Sequence, residues 1–260
     1  MPTFGVSERD LLAYRDAGSA DPAILLIHGW QADATVWEPV ADRLSAAHRV
    51  ISVDLRGAGA SAEAAGPYTV ERFSADIAAL ARALGLGHVV AVGHSMGGAI
   101  AQRLAVDEPS LVAGLVLVAP VPASGLPMSE RMQSFFRTIP TDPATAEKWL
   151  RMLTAAPLPR ERFDVIARAS AANRPTAALE ALESWTRADF AAEASTISAP
   201  TLVIAGACDR PQSPDFLRAT VLDVIQGSRM TVVEDAGHYV MLEQDARVAE
   251  LIDEFVRRLE

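Results

Sequence analysis

Short apolar runs alternate along the chain with longer segments in which apolar residues recur at helical spacing. The apolar runs predict strands at residues 23–28, 50–54, 89–93, 112–119, 201–206 and 229–233. The helical spacing predicts helices at about residues 35–47, 70–84, 96–107, 213–225 and 244–259. Several of the runs are apolar throughout, which is typical of parallel strands covered on both faces. This order predicts an α/β fold with a mostly parallel, doubly wound central sheet and helices on both of its faces.

The alternation is interrupted between residues 120 and 200, where no strand-like run occurs. Helical patterns separated by prolines occupy residues 129–138, 143–154, 160–172 and 176–188. Such an insertion leaves and re-enters at the carboxyl edge of the sheet, where open α/β sheets bind ligands. We therefore expect a core domain formed by residues 1–120 and 200–260 and a helical cap formed by residues 121–199. A weaker pattern at residues 3–6 and 11–15 predicts an edge hairpin.

The segment Gly93-His94-Ser95-Met96-Gly97 lies between a predicted strand and a predicted helix. In a Gly-x-Ser-x-Gly arrangement the serine sits on a tight strand-to-helix turn that pushes its hydroxyl out above the sheet. The start of the new helix directs free N–H groups towards that hydroxyl, which favours a developing negative charge. A glycine-flanked serine is usually only a turn, but its placement between these two elements predicts that Ser95 is a nucleophile.

A serine hydroxyl is a weak nucleophile near neutral pH and needs a base within hydrogen-bond reach. The chain has five histidines, which are His28, His48, His88, His94 and His238. Two of them, His48 and His88, precede strands at the far edge of the sheet, and His94 lies inside the turn itself. His28 is better explained as a residue that fixes its loop by hydrogen bonds. His238 follows the last predicted strand, at the same edge as Ser95, and is the candidate general base.

The base in turn needs a carboxylate that selects its tautomer and stabilises the imidazolium. Asp209 follows the strand at residues 201–206 on a carboxyl-edge loop, so it is the candidate. Glu234 and Asp235 compete with it, but they are close to His238 in sequence and are expected to cap or solvate that loop. Two further acids, Asp215 and Asp223, fall on a predicted helix instead.

A tetrahedral intermediate needs two positioned donors for its oxyanion, and removing one donor typically costs about 3–4 kcal/mol of barrier. The Met96 N–H, at the start of the helix after Ser95, is one candidate. The other is the Trp30 N–H, in the loop after the strand at residues 23–28, where Gly29 permits a sharp turn. The alternative is that Gly29 and Trp30 form a plain turn with a core tryptophan.

In chain order, Ser95, Asp209 and His238 resemble the catalytic residues of the α/β-hydrolase superfamily, in particular its smaller, cap-bearing esterase-like members. The resemblance covers nearly the whole chain. It rests on His28-Gly29-Trp30, residues 54–61, the segment around Ser95, Gly206-Ala207-Cys208-Asp209 and Ala236-Gly237-His238. It implies the fold of that superfamily, with Asp54 as a structural loop anchor that we expect to pair with Arg56.

The chain departs from the superfamily pattern in two places. Ala58 stands where relatives often carry histidine or tyrosine, which weakens any role for that side chain. Arg210-Pro211 directly after Asp209 is less usual, and it bears on the aim of the carboxylate.

Composition narrows the functional classes. The chain has 260 residues, half of them hydrophobic, a formal net charge of −10 and one cysteine, Cys208. The acidic balance argues against nucleic acid or an anionic membrane as a partner, and the single cysteine excludes an intramolecular disulfide. With no signal-peptide pattern and no apolar run of membrane-spanning length, we expect a cytoplasmic protein without a metal or cofactor. Nothing in the sequence indicates an oligomeric state.

These observations predict a serine hydrolase that cleaves a carboxylic ester or lactone, as a small-molecule substrate, through an acyl-enzyme. An aspartate nucleophile is excluded because Ser95 stands at the turn. Four alternatives stay open: a carbon–carbon bond hydrolase of ring-cleavage products, a perhydrolase, a cofactor-free oxygenase, and a ligand-binding receptor that retains the three residues.

The substrate is expected to lie among apolar and aromatic side chains. The candidate substrate-binding residues are Trp30, Val121, Phe135, Trp149, Trp185 and Tyr239, with Met96 and Phe136 as further lining candidates. For each of the cap aromatics, packing is the favoured role over substrate contact. The basic residues of the predicted cap, which an acidic substrate would need, are expected mostly on solvated helix faces; they are Arg131, Arg137, Lys148, Arg151, Arg162, Arg168 and Arg174.

Overall fold

A central sheet organises the chain in the computed structural model, which describes residues 2–5 and 11–259. Its strands are β1 (Thr3–Gly5), β2 (Leu11–Ala17), β3 (Ala23–Ile27), β4 (Val50–Val53), β5 (Val89–His94), β6 (Val112–Val118), β7 (Thr201–Gly206) and β8 (Arg229–Val233). Within the described residues they lie in the order β1-β2-β4-β3-β5-β6-β7-β8. Strands β3 to β8 pair in parallel, whereas β2 is antiparallel to β4. The predicted mostly parallel sheet is confirmed.

Helices cover both faces of this sheet. They are α1 (Glu38–Leu44), α2 (Val70–Ala83), α3 (Met96–Asp107), α4 (Glu130–Thr138), α5 (Pro143–Met152), α6 (Arg160–Ala172), α7 (Pro175–Thr186), α8 (Ala191–Ala194), α9 (Pro214–Leu217), α10 (Val240–Glu243) and α11 (Asp245–Val256). Helix α1 packs on α11, and α2 packs on α3. Every residue of β3, β5 and β7 is buried, as an apolar strand requires when both of its faces are covered.

Near the two ends of the chain, the bounds of three predicted elements differ from those in the structure. Strand β1 pairs antiparallel with β2 as an edge hairpin, although Val6, the end of the first predicted strand, lies outside the described residues. The helix predicted at residues 213–225 is α9 followed by a π-helical turn, Arg218–Leu222. The last helix starts with the separate short helix α10. In residues 2–5 and 11–259 no helix combines the length and the apolar character that a membrane span needs.

The inserted segment, residues 121–199, carries helices α4 to α8 and no strand among the residues that the structure describes. Side-chain hydrogen bonds fasten it to loops that follow the strands. The Trp30 indole donates to the Ala178 carbonyl (2.7 Å), and the Ser170 hydroxyl donates to the Gln31 side chain (2.9 Å). Both Trp30 and Gln31 lie on the loop after β3, so the inserted segment lies over the carboxyl ends of the strands.

The expected pairing of Asp54 with Arg56 is wrong. The Asp54 carboxylate instead accepts backbone N–H groups of Ala34 (2.8 Å) and Ala60 (2.9 Å), so it anchors the loops after β3 and β4. Arg56 is fully buried and forms a two-point ion pair with Asp76 on α2, at 2.5 and 2.9 Å. A buried guanidinium needs a charged partner, and its long side chain reaches α2 to find one.

Candidate active site

Ser95 lies between β5 and α3 in a strained backbone conformation, with φ 53° and ψ −119°. The two glycines of the motif permit the close approach that this turn requires. A Cβ on Gly93 would stand 2.1 Å from the Gly97 carbonyl oxygen, and one on Gly97 would stand 2.4 Å from the Ile27 carbonyl oxygen. Since no other residue fits either position without moving the backbone, the glycines fix the tight turn that holds Ser95 at the strand end.

Asp209 and His238 meet through a direct hydrogen bond, with His238 Nδ1 2.8 Å from Asp209 Oδ2. Both side chains are buried, and the second carboxylate oxygen of Asp209 accepts the Gln212 N–H at 3.2 Å. An ionised carboxylate only accepts, so Nδ1 carries the proton of the neutral imidazole and Nε2 has a free lone pair. The sequence prediction that these two residues converge agrees with this geometry.

The loops that carry these two residues are joined to each other and to the inserted segment. The Cys208 N–H donates to the Ala236 carbonyl (2.8 Å), and the His238 N–H donates to the Leu153 carbonyl (2.7 Å). Glu243 on α10 accepts both the Gly237 N–H (3.0 Å) and the Ala155 N–H (2.7 Å) through one oxygen. Burial raises the pKa of Glu243 above its ordinary value, against the opposing effect of these two N–H groups. The position of His238 therefore depends on the inserted segment and on Glu243.

His94, next to Ser95, does not act on that hydroxyl. Its Nε2 lies 3.0 Å from the His238 carbonyl oxygen, so it carries the proton and donates it. Burial lowers the pKa of His94 well below its ordinary value, and the nearby His238 lowers it further. His94 is thus a neutral residue whose hydrogen bond to the His238 carbonyl holds the His238 loop.

The loop after β3 passes close to Ser95. A Cβ on Gly29 would stand 3.0 Å from the Ser95 Cβ, which only glycine leaves unobstructed. His28 fixes this loop: its Nδ1 donates to the Gly29 carbonyl (2.8 Å), and its Nε2 accepts the Leu55 N–H (3.0 Å). Burial lowers the pKa of His28, so the ring is neutral and can accept. Among the described residues, neither the Trp30 N–H nor the Met96 N–H has a hydrogen-bond acceptor within the chain.

Ser95 and His238 line one cavity of about 1290 Å³. All six candidate substrate-binding residues line it as well, namely Trp30, Val121, Phe135, Trp149, Trp185 and Tyr239. The Ser95 hydroxyl makes no hydrogen bond within the described part of the chain. Aromatic contacts build one wall, since the Trp30 ring lies 5.6 Å from that of Phe136 and 5.4 Å from that of Trp149.

Sequence reasoning missed part of this lining. Leu126, Met128, Met132 and Met152 face the cavity, and Met132 and Met152 are 48% and 65% exposed. Helix α4 carries the signal that identifies such residues: Met132 and Phe136 recur at helical spacing, yet none of its residues is fully buried. An apolar helix face that is not buried in a core faces a cavity or a partner.

Comparison with known proteins agrees with this architecture. The model of the alpha/beta hydrolase family matches residues 24–251. A thermophilic esterase from Thermogutta terrifontis superposes with a TM-score of 0.83 at 30% identity, over 96% of this chain and 94% of that one. An enol-lactonase from Burkholderia xenovorans LB400 superposes with a TM-score of 0.87 at 26% identity, over 98% of this chain and all of that one (100%). A non-heme haloperoxidase from Rhodococcus erythropolis is 27% identical over 92% of this chain and 93% of its own length.

The family match spans most of the chain and includes the strands that carry Ser95, Asp209 and His238. The chain is therefore an enzyme of the α/β-hydrolase family, as its sequence resemblance indicated.

Proposed function

We propose that this enzyme is a serine hydrolase that cleaves carboxylic esters or lactones through an acyl-enzyme. The observation that carries the proposal is the buried Asp209–His238 hydrogen bond of 2.8 Å beside a cavity that Ser95 also lines. A carboxylate, an imidazole and a hydroxyl from three separate loops meet at one cavity, which is the arrangement that serine catalysis requires.

In the acylation step, Ser95 Oγ attacks the substrate carbonyl carbon while His238 Nε2 takes the hydroxyl proton. The resulting imidazolium is stabilised by Asp209, which holds the other ring nitrogen. His238 then gives the proton to the departing alcohol oxygen as the carbon–oxygen bond breaks. In deacylation, His238 removes a proton from water, the water oxygen attacks the acyl carbon, and Ser95 leaves with its proton restored.

The oxyanion of each tetrahedral intermediate needs donors that are already in position. The Trp30 and Met96 N–H groups suit this role because they belong to the two segments that meet at Ser95 and have no acceptor within the described chain. The Met96 N–H also points from the start of α3, where the helix dipole favours negative charge.

The inserted segment acts as a cap in this proposal. It supplies most of the aromatic lining, including Phe135, Trp149 and Trp185, and its Leu153 carbonyl holds the His238 loop. The comparisons support an ester or lactone as substrate, because the Thermogutta protein is named an esterase and the Burkholderia protein an enol-lactonase.

The test is hydrolysis of 4-nitrophenyl butyrate by the parent protein and by Ser95→Ala, with a fluorophosphonate as a covalent probe. We expect release of 4-nitrophenol from the parent only, and a single adduct that peptide mass spectrometry locates on Ser95. Turnover by the variant at the parent's rate, or an adduct on another residue, would contradict the assignment of Ser95.

A second candidate is perhydrolysis at the same site, which the name of the Rhodococcus relative favours. Hydrogen peroxide in place of water would attack the acyl carbon, giving a peracid and free Ser95, and the peracid would oxidise a halide. Acetate would acylate Ser95 with loss of water, and Ser95-dependent bromination of monochlorodimedone in acetate, hydrogen peroxide and bromide identifies this activity. If the bromination rate is far below the rate of ester hydrolysis, perhydrolysis is a side activity of the enzyme.

A further inference from the structure

Three cationic side chains line the active-site cavity. They come from three different elements: Arg131 from α4, Lys148 from α5, and Arg210 from the loop after β7. Among the described lining residues the one acid is Asp209, whose charge is directed at His238. The accessible charge of this cavity is therefore positive, in a protein whose formal net charge is −10.

None of these three cations forms an ion pair with the described residues. Most arginines of the described chain do form one, such as Arg151 with Glu147 on α5. Since none of the three cavity cations is neutralised by a carboxylate of the described chain, their charge is available to a ligand. Cavity walls of low dielectric focus such a field and attract a ligand of opposite charge.

The wall beside these cations is apolar and aromatic. Trp30, Phe136 and Trp149 contact one another there, and the exposed side chain of Met132 adds further apolar surface on α4. A ligand that satisfies both features has an apolar or aromatic body and a negatively charged group. A wholly neutral ester would leave the cations without a partner, and a small polar anion would leave the wall uncovered.

We propose that the cavity selects amphipathic anionic substrates: esters or lactones with an apolar body that covers the aromatic wall and a carboxylate that lies among Arg131, Lys148 and Arg210. This inference rests on the proposed ester hydrolysis and specifies its substrate class. The three cations touch the remote end of the substrate and not the reacting carbonyl, so they determine specificity and leave the chemistry unchanged.

The test uses three 4-nitrophenyl esters of similar length: the monoester of adipic acid, which is anionic, its neutral methyl ester, and the cationic 6-aminohexanoate. The leaving group is the same, so differences in kcat/KM report recognition of the far end. We expect the anionic ester to be the best substrate and the cationic one the worst. The differences should shrink between about 20 mM and about 500 mM salt, because exposed charges are screened.

Removal of the cations should remove the preference. An exposed charge pair contributes about two- to fivefold in binding, so Arg131→Gln combined with Lys148→Gln should lower kcat/KM for the anionic ester by about five- to twentyfold. The neutral ester should be hydrolysed as before. Arg210→Gln is then added to the double variant to give a triple variant. Because Arg210 adjoins Asp209, this change can also alter catalysis itself, so its effect is judged from the ratio of kcat/KM for the anionic ester to that for the neutral ester. The matched control is Arg137→Gln, an exposed arginine on the same helix as Arg131 but outside the cavity.

Two results would overturn the inference while leaving ester hydrolysis intact: equal kcat/KM for the anionic and neutral esters, or a ratio that the triple variant does not change. Turnover that survives Ser95→Ala would instead contradict the proposed nucleophile. A binding measurement then tests recognition of the anionic group separately from catalysis by Ser95. It uses the Ser95→Ala variant and follows the fluorescence of the cavity tryptophans as ligand is added. Binding of 4-phenylbutanoate should be tighter than that of 4-phenylbutanamide, and the triple variant should abolish the difference.

Discussion

Asp209→Asn is the substitution that examines the candidate site most directly. The Asp209 side chain is fully buried and bonded to His238 Nδ1 at 2.8 Å, and its other oxygen accepts the Gln212 N–H. The amide preserves the volume and one acceptor but removes the charge. It also offers an NH2 group to Nδ1, which would move the imidazole proton to Nε2 and block the nitrogen that must accept from Ser95.

The size of the expected loss in kcat follows from the distance between His238 and Asp209. A full positive charge on His238 at 2.8 Å from the Asp209 oxygen gains about 6 kcal/mol at an effective dielectric constant near 20. At 1.36 kcal/mol for each factor of ten in rate, that energy corresponds to about 10⁴. The imidazolium is only partly formed at the transition state and the amide dipole replaces part of the lost interaction, so we expect kcat to fall by about 10³ to 10⁴.

The assay is the steady-state hydrolysis of 4-nitrophenyl butyrate, with circular dichroism to verify folding. The matched control is Asp235→Asn, which removes the same charge from an exposed position on the His238 loop where φ is 55°, a conformation that asparagine accepts readily. This control should hydrolyse the ester at the parent's rate. A folded Asp209→Asn protein within tenfold of the parent, or an equal loss in the control, would refute the role assigned to Asp209.

Three further predictions concern the residues around the site. Glu243→Ala should lower kcat and reduce the free energy of unfolding by about 1–3 kcal/mol, because two backbone N–H groups lose their acceptor, whereas Glu243→Gln should retain most activity. Asp76→Asn should reduce the free energy of unfolding in urea by about 3–5 kcal/mol, since the buried Arg56 charge loses its partner, and a loss below about 1 kcal/mol would contradict that pairing. The lowered pKa of His94 keeps the ring neutral in the folded protein, whereas in the unfolded chain it takes up a proton below about pH 6.5. The free energy of unfolding should therefore fall by up to about 1.4 kcal/mol per pH unit as the pH drops below that value. In urea titrations at several pH values, His94→Asn should show a smaller dependence of the free energy of unfolding on pH.

The sequence was sufficient to locate the candidate site because of a property of parallel sheets. All strands from β3 to β8 run in one direction, so the loops that follow β5, β7 and β8 end at a common edge. Ser95, Asp209 and His238 each follow one of these strands, and elimination of the histidines at the other edge needed no side-chain geometry. His48, for example, is bonded to Asp253 on α11, away from the cavity.

Contacts that depend on side-chain reach were not available from the sequence. The resemblance implied that Asp54 is a loop anchor paired with Arg56, yet the Asp54 carboxylate accepts two backbone N–H groups and Arg56 pairs with Asp76. The role of Glu243 could not be predicted from the sequence either. Its two partners, Gly237 and Ala155, are far apart from each other in the chain, and they come together only when the inserted segment packs on the sheet domain.

The cations of the cavity show why helical spacing alone does not determine which charges face a ligand. Arg131 and Lys148 are exposed residues on amphipathic helices, which is the pattern of an ordinary solvated face. The difference from Arg137, an exposed arginine on the same helix as Arg131, is only the direction in which the packing of α4 and α5 turns each side chain. That direction depends on tertiary contacts such as the one between Phe136 and Trp149, so the charge of the cavity is a property of the assembled fold. The comparison of Arg131→Gln with Arg137→Gln tests this difference, because each change removes one positive charge from an exposed position on the same helix and only Arg131 lines the cavity.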